Sequence, residues 1–294
     1  PIKQDLLGLA LRGSTAHREA ADITYVNNGG SWVVPTMGSN PVKSKINTFG
    51  ARLSLTPNRQ HDIILDVETG RQTYDNARGQ LGTLGNGGYA PEQKYTRDQW
   101  SLAHTGRYSF GVWDTSYMQS TTETIGRLIP TGVPGAGTPR TLETTSKVLD
   151  TKLVMPWGNH LTTLGGQYWQ AQMQDGVAPV QFDFTQKALF AEDEWSLADT
   201  FKLTLGARYD RHSAFGSKVS PRVYGVWSLA PQWTVKGGVS RGFKAPRLNQ
   251  LVDGISGIGG QGTTISIGNP NLKPESSTSL QLGGTLSRGD DLTL

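Results

Sequence analysis

The chain has 294 residues, 28 Lys and Arg against 24 Asp and Glu for a net charge of +4, no cysteine, and only 35% hydrophobic residues. Mean hydropathy is −0.41, and the longest nearly unbroken apolar stretch, residues 6–11, is far shorter than the roughly 20 residues that carry a helix across a bilayer, so a transmembrane helix is excluded. Lys and Arg are scattered, with no basic run or nucleic-acid motif; the positive balance points to an anionic ligand and no nucleic acid is expected. The 37 Gly, 8 Trp, 9 Tyr and 8 Phe, with abundant Thr and Ser, favour strands and turns, so the class is all-β.

In chain order, strands are expected near 5–15, 46–56, 61–73, 96–105, 110–121, 142–155, 160–174, 184–196, 200–211, 219–229, 233–243 and 272–287, twelve in all with a truncated thirteenth behind them. Period two is the signal. Phe49, Ala51, Leu53 and Leu55 alternate with Thr48, Arg52 and Ser54, and Ile63, Leu65 and Val67 with Asp62, Asp66 and Glu68. The run from Phe201 to Tyr209 is the clearest case, and Trp233, Val235, Gly237 and Val239 repeat it. Charges in the middle of a polar face need water or partners, which a small packed barrel does not supply and a wide, hydrated lumen does.

The connections alternate in length. Tight turns fall at 57–60, 106–109, 156–159, 197–199, 230–232 and 288–290, and between them lie long polar or glycine-rich connections at 19–45, 74–95, 122–140, 175–183, 212–218 and 244–271. Short turns at one rim and long loops at the other describe a bacterial outer-membrane barrel. Trp195, Trp227 and Trp233 fall beside the tight turns, where an aromatic girdle meets lipid headgroups. No signal peptide opens the sequence, Pro1 precedes an apolar strand and Leu294 lies inside one, so the chain is expected to be a piece of a longer protein.

The segment Gly237-Gly-Val-Ser-Arg-Gly-Phe-Lys-Ala-Pro-Arg-Leu-Asn-Gln-Leu251 resembles the GFKAP signature of TonB-dependent outer-membrane receptors, and Gly268-Asn-Pro-Asn-Leu-Lys-Pro-Glu275 resembles the same family's NPNLKPE element. Thr69-Gly-Arg-Gln-Thr-Tyr-Asp-Asn76, Gly79-Gln-Leu-Gly82, Phe190-Ala-Glu-Asp-Glu-Trp195, Gly254-Ile-Ser-Gly257 and Gly260-Gln-Gly262 narrow the resemblance to catecholate siderophore receptors, within them to the colicin I receptor branch. It implies that residues 1–294 form part of a transmembrane antiparallel barrel of about 22 strands, with the N-terminal plug and the closing C-terminal strands absent. It further implies import of ferric catecholate siderophores energised by a TonB-ExbB-ExbD complex through that plug, in a setting of outer-membrane lipid and lipopolysaccharide. Colicin binding is a secondary expectation. No cofactor is implied, since iron enters only inside the chelate. A hydroxamate siderophore, vitamin B12 or haem as ligand, a passive porin or structural barrel, and a secreted soluble β-protein stay open as alternatives.

A ferric tris-catecholate is a bulky trianion with aromatic edges, and its receptor should present Arg or Lys beside Tyr or Trp at the lumen mouth. The candidates are Arg71, Tyr74, Arg78, Tyr89, Lys94 and Arg97 on one loop, Arg127 and Arg140 on the next, and Trp32 on the first. A solvated loop charge is the commoner role for any one of them; the cluster carries the expectation. In Gly242, Phe243, Lys244, Ala245 and Pro246, and in Asn269, Pro270, Leu272, Lys273, Pro274 and Glu275, the family implies a structural role where loop meets strand, with Pro set where no ladder donor is needed. His17, His61, His104, His160 and His212 stand apart in sequence without metal-site spacing, and Glu192-Asp193-Glu194 lies just before a tight turn, so neither a metal site nor an acid-base pair is expected, and no enzyme signature is present.

Overall fold

A computed structural model describes residues 6–20, 26–28, 31–33, 42–77, 89–129, 131–140, 142–177, 181–251, 253–259 and 264–287. The strands are β1 (Leu7–Arg18), β2 (Val26–Asn28), β3 (Ser31–Val33), β4 (Ser44–Asn58), β5 (His61–Asp75), β6 (Tyr89–Tyr108), β7 (Gly111–Arg127), β8 (Leu142–Trp157), β9 (His160–Asp175), β10 (Phe182–Ala198), β11 (Phe201–His212), β12 (Gly216–Ala230), β13 (Trp233–Lys244), β14 (Ile255–Gly259), β15 (Thr264–Ile267) and β16 (Glu275–Leu286). Twelve of them form one antiparallel sheet in the order β1-β4-β5-β6-β7-β8-β9-β10-β11-β12-β13-β16, each beside its neighbour in sequence apart from the two small loop hairpins, β2-β3 and β14-β15. This is the meander expected of the twelve alternating segments.

The sheet has two chemically distinct faces, because successive residues of a strand point to opposite sides and directly paired residues share a side. Leu53, Leu65, Leu102 and Tyr117 form one rung across four strands, and Leu205, Val223, Val239 and Leu280 another. The opposite side carries Arg52, Asp66 and Ser101 in the corresponding places. Apolar side chains are not gathered into a core: Leu189 is 68% and Leu280 84% exposed, whereas Gln93, Asp175, Asp210 and His212 are buried. A water-soluble sandwich would invert that order, and an apolar face of this extent marks contact with lipid. Each inner strand of the sheet, from β4 to β13, is paired on both sides, as a hydrocarbon solvent demands.

Residues at one end of the sheet turn within two positions, at 59–60, 109–110, 158–159, 199–200 and 231–232. Gly158 adopts φ 53° in the 158–159 turn, a left-handed conformation that glycine takes without strain. Aromatic rings collect there on the apolar face: Tyr108 stacks on Phe110 at 5.2 Å, His160 lies between Trp157 at 4.2 Å and Trp195 at 5.3 Å, and Phe201 meets Trp227 edge-on at 6.4 Å. Trp233 and Trp113 join them, so the girdle is wider than the three tryptophans read from sequence.

At the other end the strands and hairpins extend into stretches expected to be loop. Strand β6 begins at Tyr89 and β7 runs to Arg127, so the connections between strands shrink to residues 76–88 and 128–141, and Tyr89, Lys94, Arg97 and Arg127, expected on loops, belong to strands, as do Arg71 and Tyr74. The cause is composition. Stretches such as Thr121-Thr-Glu-Thr124 are polar and read as loop, yet β-branched threonine favours the pleated backbone, and a strand outside the lipid has no need of apolar side chains.

Candidate functional site

The loop end of the polar face carries two clusters. The larger lies where the chain leaves β13 and folds back toward β10. Gly242, Phe243 and Lys244 still pair with Ser277, Ser276 and Glu275 of β16; then Ala245, Pro246 and Arg247 cross to a 3-10 turn at Leu248–Leu251 that packs on β10. The amide of Asn269 donates to the carbonyl of Gln250 at 2.6 Å, and the Asn269 side chain accepts from the amide of Asn271 at 2.9 Å, which closes the turn ahead of Lys273, Pro274 and Glu275. The two motifs singled out in sequence are thus one structural unit, clasped through Lys244 opposite Glu275 and Gln250 beside Asn269.

Beneath this unit is a cavity of ≈ 640 Å³. Its floor is aromatic: Trp169 meets Phe184 edge-on at 4.7 Å and Phe184 stacks on His212 at 4.9 Å. Trp169 Nε1 donates to Ser146 Oγ at 2.9 Å, and His212 Nδ1 accepts from the amide of Ala214 at 3.1 Å, so both rings are fixed in orientation. The charged part has a fixed and a free component. Arg208 donates from Nε to both oxygens of buried Asp210 at 3.0 Å, and Asp210 also accepts from Gln186 at 2.8 Å, so that carboxylate is consumed. Lys244 and Arg247, exposed on the upper wall, form no ion pair among the described residues. A pocket with aromatic walls, two uncommitted cations and its one buried carboxylate already neutralised is suited to an anionic ligand with flat edges. Gly165 belongs to the same wall lower down; a Cβ there would lie 2.2 Å from Phe190 Cζ and 2.6 Å from the Thr151 carbonyl, so only glycine lets those strands pack.

The smaller cluster is on β5 and β6. Tyr74 and Tyr95 meet edge-on at 5.5 Å, and Arg97 Nη2 donates to Gln99 Oε1 at 2.6 Å. Tyr74 and Arg97 therefore share the polar face, with Tyr95 as an unforeseen companion. Arg71 and Lys94 do not join them: register puts both on the apolar side above the lipid-facing band, where Arg71 holds Asp98 bidentately at 2.8 and 2.9 Å and Lys94 pairs with Glu92 at 2.8 Å. Arg140 grips Asp175 through two bonds of 2.8 and 2.7 Å with both side chains nearly buried, which fastens the 128–141 loop onto β9. Arg127 ends β7, where its carbonyl accepts from the Arg140 amide at 2.9 Å. Tyr89 pairs with Arg127 in register, and Trp32 lies in the β2-β3 hairpin. Arg78 lies outside the described residues.

Other sequence features take separate places. Glu192 bonds Arg222 at 3.2 Å, Asp193 bonds His160 at 2.7 Å and Glu194 bonds Lys202 at 2.8 Å, so the acidic triplet is divided among three partners. His61 and His104, far apart in sequence, stack across β5 and β6 with Nδ1 and Nε2 at 3.0 Å.

Comparison with known proteins accords with this geometry. The family described as TonB dependent receptor-like, beta-barrel, matches residues 14–294. The iron-regulated outer membrane virulence protein of Vibrio cholerae is 30% identical over 98% of this chain and 41% of its own length. The probable TonB-dependent siderophore receptor PirA of Acinetobacter baumannii is 24% identical over 96% of the chain and 43% of its own. In structure, the ferric enterobactin receptor PfeA of Pseudomonas aeruginosa superposes with a TM-score of 0.78 at 19% identity, covering 100% of this chain and 48% of that one, a likeness of fold. This chain spans about two fifths of the length of the curated relatives it matches. With its lipid-facing strands, tight-turn girdle and clasped loop motifs, the chain belongs to the TonB-dependent receptor family of bacterial outer-membrane β-barrels.

Proposed function

We propose that this chain is the loop-bearing section of an outer-membrane receptor that takes up ferric siderophores of the catecholate type. The observation that carries the reading is the cavity beneath residues 242–249, where Trp169, Phe184 and His212 supply flat surfaces and Lys244 and Arg247 supply charge. Catechol rings stack on the former while the negative oxygens of the chelate meet the latter. Tyr74, Tyr95 and Arg97 repeat the same chemistry on β5 and β6 and suit a first encounter at the vestibule. Relatives described as siderophore and ferric enterobactin receptors support the class.

The iron is cargo and stays inside its chelate; the protein binds, orients and releases. The sheet has two edges, β1 and β16, each paired on one side only among the described residues. Unpaired edges are costly in lipid, so in this reading further strands close the barrel and a plug within it, pulled by the TonB complex, converts binding into import. Colicin attachment to the same loops is a further part of the proposal.

The test is a titration of the full-length receptor in detergent, following tryptophan fluorescence as ferric enterobactin is added, with ferrichrome as the hydroxamate control. Saturable sub-micromolar quenching by the catecholate alone is expected. Equal indifference to both, or preference for the hydroxamate, would remove the catecholate assignment.

A further inference from the structure

The apolar face ends at a definite height on the loop side. Along β8 the outward residues run Trp157, Met155, Leu153, Thr151, Leu149 and then Lys147; along β10 they run Trp195, Asp193, Ala191, Leu189 and then Lys187; along β11 they run Phe201, Leu203, Leu205, Ala207, Tyr209 and then Arg211. Nine strand residues tilted by about 45° rise roughly 20 Å, close to the height of a barrel's apolar band. The three cations therefore stand at the band's outer margin. Lys187 and Arg211 are direct partners in register, and Lys147 is one rung higher, two strands from Lys187.

These cations contrast with those that carboxylates hold elsewhere in the sheet. Arg71, at the same margin on β5, is held by Asp98, and Arg12 and Arg52 on the polar face share Asp66. Lys147, Lys187 and Arg211 take part in no ion pair among the described residues; the nearest outward carboxylates, Glu143 and Asp183, stand two rungs further from the band. Lys187 is instead poised over the Tyr168 ring at 5.7 Å. Immediately below them the outward surface is hollowed into an apolar groove of ≈ 430 Å³ between Leu149, Tyr168, Leu189 and Tyr209. Gly166 forms its floor; a Cβ there would stand 3.3 Å from Leu189 Cδ2, so the missing side chain is what opens the groove.

An apolar groove in a lipid-facing wall is filled by hydrocarbon, and an uncompensated cation triad at its headgroup end selects negative charge. We infer that the outward face of β8–β11 is a binding site for a phosphorylated lipid of the outer leaflet, with an acyl chain in the groove over Gly166 and the headgroup phosphate held by Lys147, Lys187 and Arg211. The site lies on the opposite side of the wall from the siderophore cavity, and its assignment rests on the outer-membrane setting alone. Its occupant anchors β8–β11, the strands whose inner surface forms that cavity.

The test is native mass spectrometry of the full-length receptor released from detergent after equilibration with a diphosphoryl lipid A, the same lipid with its phosphates removed, and phosphatidylethanolamine. Wild type is expected to retain the diphosphoryl lipid selectively. The Lys187→Gln/Arg211→Gln variant should weaken retention about thirtyfold, from roughly 1 kcal/mol for each basic residue at a membrane surface, while Arg71→Gln, whose guanidinium is already engaged by Asp98, leaves it unchanged. Neutral side chains at these lipid-margin positions do not threaten folding. Equal retention of the dephosphorylated lipid by wild type, or undiminished retention by the double variant, would overturn the site. Siderophore titration of the same preparations is a separate readout, so failure of the catecholate reading would leave the lipid result standing.

Discussion

The two faces of the sheet carry similar numbers of strand positions but treat charge in opposite ways. On the polar face Arg12, Arg52, Asp66 and Glu68 sit at mid-height and satisfy one another across three strands. On the apolar face the same heights hold Leu, Val and aromatic side chains, and cations begin only at the band's margin. One alternating sequence thus serves two solvents. The lesson for function is that face decides a residue's role more than its type: Arg97 and Arg71, both expected to contact ligand, point to opposite sides of the wall.

The largest effect should come from a charge already taken out of water. Asp175→Asn leaves Arg140 nearly buried without its counter-ion and should cost about 3–5 kcal/mol, loosening the 128–141 loop; hydrogen exchange of the full-length receptor would show protection lost there and on the adjoining end of β9. A loss confined to background would mean that the pair is less buried than its geometry indicates. Next comes the contrast between neighbours on β11. Leu205→Arg, in the middle of the apolar band, should destabilise the barrel by about 2–4 kcal/mol in a urea titration, whereas Thr204→Arg, facing the polar side, should cost less than about 1 kcal/mol. Equal effects would break the assignment of faces. Smaller still, Tyr95→Ala removes one ring of the β5-β6 pair and should weaken ferric catecholate binding about fivefold, an aromatic contact of roughly 1 kcal/mol.

Much of the fold was legible because period two survives in single strands: Phe201 to Tyr209 and Trp233 to Val239 display their two faces without help from the rest of the molecule. Strand ends were less so. Beyond the lipid the apolar signal vanishes while hydrogen bonding continues, and the polar start of β6 and the Thr-rich end of β7 read as loop. The site was the least legible part. Trp169 and Phe184 could have been noticed as aromatics at positions where alternation calls for polar residues, but their meeting with His212, Lys244 and Arg247 depends on residues 245–251 folding back from β13 to β10, which no local pattern records. The β5-β6 candidates were visible as a cluster of residue types, and only register separates those that face the lumen from those that do not.

The most direct test compares ferric enterobactin affinity of two double variants of the full-length receptor, Lys244→Gln/Arg247→Gln on the cavity side and Arg71→Gln/Lys94→Gln on the outer side. Loss of two uncommitted cations should weaken binding about tenfold or more, while the outer pair, already neutralised by Asp98 and Glu92, should change it less than about twofold. The reverse ranking would contradict the cavity as the ligand site and return the role to the outward cations.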